Sequence, residues 1–406
     1  MKIAIAIPAV PWPLNSGGNA AVVSTLKALE QDHEFHLIFP VYSSEDRKNV
    51  KLLRKFTKAA IHEVRLENTI QGWKQRLKPN IPSFLRQRLL PPHRIVFPFN
   101  PVHRKLAEAT YEISKNCDIL QTEFAPMLSL GACLPVKIPR IFVQHQIHYI
   151  YAKQMAENSA SEIYNQYLVR SIREQEVALL QQYQKVIVFS DVDRTILAGR
   201  MNAQQISISP FALPADIKTD TSLSNNQFNG RFTFLASEGH LPNCDALDWL
   251  TTDIWPLIKR ALPNASLSVI GKWSQYEQNR RKQAGVTFDG FAPDLKLALK
   301  ASIMLVPLRI GSGLRVKIMA AMANSTPVIS TSLGCEGMPF YHEQHLLVAD
   351  KSQDFADNAV RMASEYDLRV KLSTAAKLVV LENYAAPAVR ATRNKIYDQL
   401  ITSSCL

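Results

Sequence analysis

Gly311, Gly313, Arg315 and Lys317 fall within one short stretch, and their types suit the binding of a phosphate. The Gly311-Ser312-Gly313 turn follows an apolar run at 303–308 and precedes a segment rich in helix formers. Backbone N–H groups at such a helix start bind anions, and Arg315 and Lys317 add two positive charges. An ordinary strand-to-helix turn with solvated bases would use the same residues. Two further candidates are picked out by position. Glu123 ends a strand-like run at 117–124, and His145 lies just past another at 140–148. In open α/β sheets ligands bind beyond the carboxyl ends of the strands. Asp191-Val192-Asp193 follows the apolar run 185–190. Such a pair can hold a divalent metal, but Ser190 or Asp191 capping a helix is the preferred reading.

The elements that must hold these residues alternate. A strand at 2–8 leads through Gly17-Gly18 into a helical pattern (Val22, Val23, Leu26, Leu29) and a second strand at 33–40. Gly17-Gly18 lacks the full G-x-G-x-x-G spacing of a dinucleotide site. A helical pattern spans 161–184. Ser- and Pro-rich residues at 206–230 read as a linker. A second run follows: a strand at 232–235, a helix opened by Pro242-Asn243, strands at 266–271 and 286–291, a helix at 294–301, then the glycine turn and a strand at 328–331. Alternating strands and helices imply an α/β fold with parallel sheets. A last amphipathic helix is expected at 386–406, with Val389, Ile396 and Leu400 on one face.

At 406 residues the chain has room for two cored domains. No apolar run approaches the ~20 residues of a membrane span, and the opening Ile-Ala alternation suits a buried strand better than a signal sequence. Five scattered cysteines without a C-x-x-C pair argue for a reducing compartment and against a zinc site. The net charge of +12 is concentrated: 47–105 holds fifteen Lys and Arg against two Glu. Within that block Trp73, Phe84, Arg86 and Arg88 interleave bulky apolar and basic residues, as in an anchor on an anionic membrane surface, and a solvated excursion packed on its own domain would use the same residues. The Pro-broken segment shows no nucleic-acid recognition motif, and none is expected as a partner.

The ordered series of motifs resembles the family 4 glycosyltransferases, retaining enzymes that use nucleotide-sugar donors. The match is densest where that family reads G-[GS]-G-T-R-L-K-I-L-E-A-M-A and this chain runs from Gly311 through Arg315 and Lys317 to Glu336-Gly337. Pro242-Asn243, Gly290-Phe291-Ala292-Pro293-Asp294 and the Ser190 to Arg194 segment also fit the family's pattern. The resemblance implies a GT-B fold: α/β, with two Rossmann-like domains facing each other across a cleft. It implies an acceptor domain at 1–205 with a basic insert at about 47–105, a donor domain at 206–385, and a terminal helix at 386–406 returning to the first. His145, Arg315 and Lys317 then become catalytic candidates. Gly17, Gly18, Gly311, Ser312, Gly313, Glu336 and Gly337 become donor-binding candidates, with Glu123 on the acceptor side.

One departure matters. Where the family carries a ribose-binding Glu, this chain has Ala320. Leu314 and Asn324-Ser325 also depart from the family pattern. The expected function is metal- and cofactor-independent transfer of a sugar, with retention, from a nucleotide-sugar to a glycan or lipid-linked acceptor in cell-surface polysaccharide or glycoconjugate synthesis. The expected location is the cytoplasm, peripheral at the membrane's inner face. Ala320 keeps open a catalytically silent partner protein, and the same architecture serves nucleotide-sugar epimerases.

Overall fold

The computed structural model describes residues 1–14, 16–66, 98–156, 162–214, 228–292, 294–311 and 313–404. Trp73, Phe84, Arg86, Arg88 and Ser312 lie outside them. The chain divides into two units, Met1–Pro214 with Ala386–Leu406, and Ala215–Ala385.

The first unit is built on strands β1 (Lys2–Ala6), β2 (Glu34–Val41), β3 (Ala60–Arg65), β4 (Ile119–Glu123), β5 (Arg140–Val143), β6 (Lys185–Val188) and β7 (Ile206–Ile208). They lie in the order β3-β2-β1-β4-β5-β6-β7, and every neighbouring pair is parallel. Strands covered on both faces must be apolar on both, which is why Ile3, Ala4, Ile5 and Ala6 are all buried. The helices α1 (Gly17–Leu29), α2 (Ser44–Phe56), α3 (Arg104–Ser114), α4 (Leu128–Cys133), α5 (His148–Ala156), α6 (Glu162–Leu180) and α7 (Asp191–Ala198) alternate with the strands. Several begin on a capping side chain: Ser16 accepts from Asn19 N, and Ser43 and Asp46 form a reciprocal box. Ser190 caps α7 by accepting from Asp193 N, so Asp191-x-Asp193 is a helix start.

The second unit carries β8 (Arg231–Leu235), β9 (Ser266–Ile270), β10 (Val286–Gly290), β11 (Ser302–Val306), β12 (Val328–Ser330) and β13 (Leu347–Val348), ordered β10-β9-β8-β11-β12-β13 and again parallel. Its helices are α8 (Leu241–Trp249), continuing through a π-helical turn (Leu250–Ile254) into α9 (Trp255–Ala261), then α10 (Gln275–Arg280), α11 (Leu295–Leu299), α12 (Val316–Ala323), α13 (Ser352–Ser364) and α14 (Tyr366–Tyr384). Strand order reverses between β1 and β4 in the first sheet and between β8 and β11 in the second. Crevices for ligands open at such reversals.

One detail departs from the sequence reading. The boundary lies after Pro214 rather than at 205, because the Ser-containing 206–208 segment pairs with β6 as an edge strand. The final helix α15 (Ala386–Ser404) belongs to the first unit and packs on α1. Val389, Ile396, Tyr397 and Leu400 are buried there, and Arg390 pairs with Asp32 at 2.6 Å.

Candidate active site

In the second unit the loops at the strand reversal carry the cations. α12 starts at the end of the β11 loop, where its first N–H groups have no partner within the helix. Gly311 and Gly313 adopt φ of +128° and +80°, a region costly to side chains. Arg315 folds back over them: its Nη2 lies 3.1 Å from where a Cβ on Gly311 would sit, and its Nη1 donates to Gly313 O. Lys317, half-buried in the first turn of α12, reaches toward the end of β8. Its Nζ stands 5.4 Å from the Phe234 ring centroid and donates to Asn243 Oδ1 at 3.4 Å. Asn243 in turn donates to Ser237 O at 2.9 Å, which fixes its amide. Withdrawal from water, and then the charge of Arg315, lower the Lys317 pKa to about 7. His240 stands at the same loop end. Desolvation of its ring, and then the charges of Lys317 and Arg315, push its pKa down. The arrangement is a cationic cluster beside a helix start, suited to a phosphate or diphosphate.

In the first unit the reversal gathers a different set. Glu123 ends β4 and pairs in register with Val143 of β5, so His145 emerges beside it. His145 Nε2 lies 2.8 Å from Glu123 Oε2, with both side chains almost wholly buried. Glu123 Oε1 accepts from Gln121 Nε2 at 2.6 Å. The imidazole stacks on Phe124 at 3.9 Å between centroids and meets the edge of Phe189 at 5.1 Å. Phe124 holds φ of +68°, uncommon for an aromatic residue. A Cβ on Gly18 would lie 2.9 Å from its ring, so the glycine at the start of α1 makes room for the Phe124–His145 stack. The loop carrying His145 is tied at both ends to Glu176. This carboxylate accepts from Gln144 Nε2 at 2.5 Å and from the His148 and Tyr149 N–H groups at 3.0 Å. Burial raises the Glu176 pKa to about 7.

Residues 232–365 match the family model described as glycosyl transferases group 1. That match lies wholly within the second unit. An uncharacterized 44.6 kDa protein in the cps region of Klebsiella pneumoniae is 21% identical, over 96% of this chain and 97% of its own length. HepE from Anabaena, solved with UDP and glucose, superposes with a TM-score of 0.66 at 12% identity, covering 98% of this chain and 100% of HepE. A mutant of TarM from S. aureus, solved with Fondaparinux, alpha-GlcNAc-glycerol and UDP, gives 0.68 at 10% identity, covering 98% and 99%. These likenesses establish the GT-B fold for the whole chain.

Within the second unit the structure brings Gly311, Gly313, Arg315 and Lys317 together. Glu336 is exposed in the turn after β12, and Gly337 beside it has φ of +76°. Ala320, 3% exposed, is buried one turn beyond Lys317. Sequence reasoning missed His240, although it stands directly before the Leu241-Pro242-Asn243 helix start, and Phe234, the ring beneath Lys317. It placed Glu123 and His145 in separate roles, and they are hydrogen-bonded partners. It offered no signal for Gln121 or Glu176. Among the described residues no group of three or more His, Cys, Asp or Glu is placed to hold a metal ion.

Proposed function

We propose that this chain is a retaining family 4 glycosyltransferase that needs no metal and moves a sugar from a nucleotide-sugar to a glycan or lipid-linked acceptor. The observation that carries the reading is Lys317, drawn out of water beside Arg315 at the start of α12 and at the reversal of the second sheet. Departure of a nucleoside diphosphate builds negative charge, and Lys317, Arg315 and the N–H groups of α12 would stabilise it. Arg315, Lys317 in its protonated form and a helix start would supply the charge compensation that a metal would otherwise give. Gly311, Ser312 and Gly313 would let the backbone approach the phosphates, with Glu336 and Gly337 on the donor's far side. Gly17 and Gly18 would face the sugar, His145 would hydrogen-bond it, and Glu123 would belong to the acceptor side. HepE and TarM were solved with UDP, which supports a uridine donor as the first to assay. The cps-region relative supports a place in surface polysaccharide synthesis. The basic block supports a peripheral position at an anionic, cytoplasmic membrane face.

The test is binding and turnover of a nucleotide-sugar panel by the parent and by Arg315→Ala and Lys317→Ala. Each substitution should lower turnover by about 10²–10³. Parental turnover in both would remove these cations from the reaction.

Ala320 favours a second reading, a silent GT-B partner of an active transferase. A methyl group cannot accept the ribose hydroxyl hydrogen bonds that a carboxylate would. A folded protein that binds none of the panel would select this reading, and conversion of donor without acceptor would select an epimerase.

A further inference from the structure

The surroundings of the Lys317 amine are those of a nucleophile. Its Nζ stands 5.4 Å from the centroid of the Phe234 ring and donates to Asn243 Oδ1 at 3.4 Å. Asn243 Nδ2 is committed to Ser237 O at 2.9 Å, so the oxygen end of that amide faces the amine and no amide N–H competes for the nitrogen lone pair. Among the described residues no carboxylate pairs with Lys317, and the charge acting on it is the guanidinium of Arg315. Loss of water and a neighbouring cation are the two conditions that keep a lysine amine unprotonated and reactive. With its pKa lowered to about 7, about half of the Lys317 amine is neutral at that pH, whereas an exposed lysine is neutral in fewer than ~1 in 10³ copies. His240, at the same loop end, is lowered to about 4 and adds no charge there at pH 7.

A neutral amine attacks carbonyl carbon, and the groups around this one select which carbonyl compound comes near. Arg315 and the first N–H groups of α12 suit an anion, and both Arg315 and Lys317 are half-buried rather than enclosed. We propose that Lys317 is a site of covalent modification by aldehydes that carry a phosphate: Arg315 and the start of α12 hold the phosphate while the amine forms an imine. The nitrogen lone pair makes the C–N bond, both amine hydrogens pass to the carbonyl oxygen, and that oxygen leaves as water. No oxidant or reductant takes part. A modified Lys317 cannot meet a diphosphate, so the reaction closes the anion site to a donor. That consequence rests on the proposed function; the imine itself does not.

The probe is pyridoxal phosphate, added in equimolar amount to the full-length parent protein at pH 7 with no donor or acceptor present. Borohydride then converts the imine to a stable secondary amine, and digestion with mass spectrometry locates the label. The excess of neutral amine is roughly 10³-fold and lower basicity costs part of it, so Lys317 should be labelled about ten- to a hundredfold ahead of the exposed Lys48 and Lys51. Excess inorganic pyrophosphate should suppress the Lys317 label, and pyridoxal, the same aldehyde without the phosphate, should label it more slowly. Labelling of Lys317 no faster than Lys48 and Lys51 overturns the proposal, as does a label that pyrophosphate leaves unmoved or that pyridoxal gives equally fast. The parent protein is used throughout, so no variant has to fold. Preferential labelling in a protein that binds no nucleotide-sugar sinks the proposed function alone; unselective labelling of an active transferase sinks the modification site alone.

Discussion

At Lys317 one titration connects structure to donor binding. Its ammonium is lowered to about 7 by burial and by Arg315, so above that pH the free protein holds a neutral amine. A bound diphosphate favours the charged form and raises the pKa, so binding takes up a proton. Donor affinity should therefore be highest below pH 7 and fall as pH rises, by about tenfold for each unit that the diphosphate moves the pKa. Titration calorimetry from pH 6 to 9 measures this, and Lys317→Arg, charged throughout, should abolish the slope. A parental slope in that variant would place the titrating group elsewhere. Ala320 permits a second test at the same helix. Ala320→Glu sets a carboxylate three residues from Lys317, on one face of α12, and should tighten nucleotide binding by about 1.5–3 kcal/mol if the ribose lies there. The site is buried, so overpacking should cost about 1–3 kcal/mol of stability. Binding no tighter than the parent's, in a folded variant, would mean the pocket has been rebuilt. The glycine turn and its two bases were legible because every signal is local. The Glu123–His145 pair was not: it arises from the register of two parallel strands, and the Tyr397–Gln121 bond joins residues 276 apart in sequence.

Among the elements, the loop between β5 and α5 is held by a single carboxylate. Glu176 on α6 receives three donors from that loop, yet burial outweighs them and lifts its carboxyl to about 7. An unfolded Glu titrates near ~4.3. Between these values the native state holds the proton and the unfolded state does not, so stability falls as pH rises through that window. The loss should reach about 3 kcal/mol. Denaturant unfolding at pH 5 and pH 8 should show it, and Glu176→Gln, neutral at both, should be flatter. An unchanged dependence in that variant would assign the slope to other groups. Long periodic elements were readable from sequence for the reason that this loop was not: α6 and α15 carry a repeating apolar face, whereas a carboxylate clamp has no pattern. The edge strand β7 was hidden for a related cause, since three residues with Ser207 at the centre look like linker. No expectation covered β13, α13 or α14.

For the molecule as a whole, the distribution of charge carries the last prediction. Fifteen bases and two acids between 47 and 105 leave the remainder of the chain close to neutral. The described part of this block includes α2, where Lys48, Lys51 and Lys55 are exposed at helical spacing around Leu52, itself 48% exposed. That face has the chemistry of a helix lying on anionic lipid. Among the described residues no helix is long and apolar enough to cross a membrane. Each base close to the membrane adds about 1 kcal/mol, but the Debye length of about 8 Å at physiological salt limits how many act together. Binding should therefore be modest, selective for anionic vesicles and reversed by high salt. Reversing the charge of the α2 face with Lys48→Glu, Lys51→Glu and Lys55→Glu should weaken flotation with anionic liposomes while leaving nucleotide-sugar binding in the second unit as in the parent. Equal flotation with neutral and anionic vesicles, or none with either, would remove the membrane from the proposed function and make a soluble glycan the acceptor to assay.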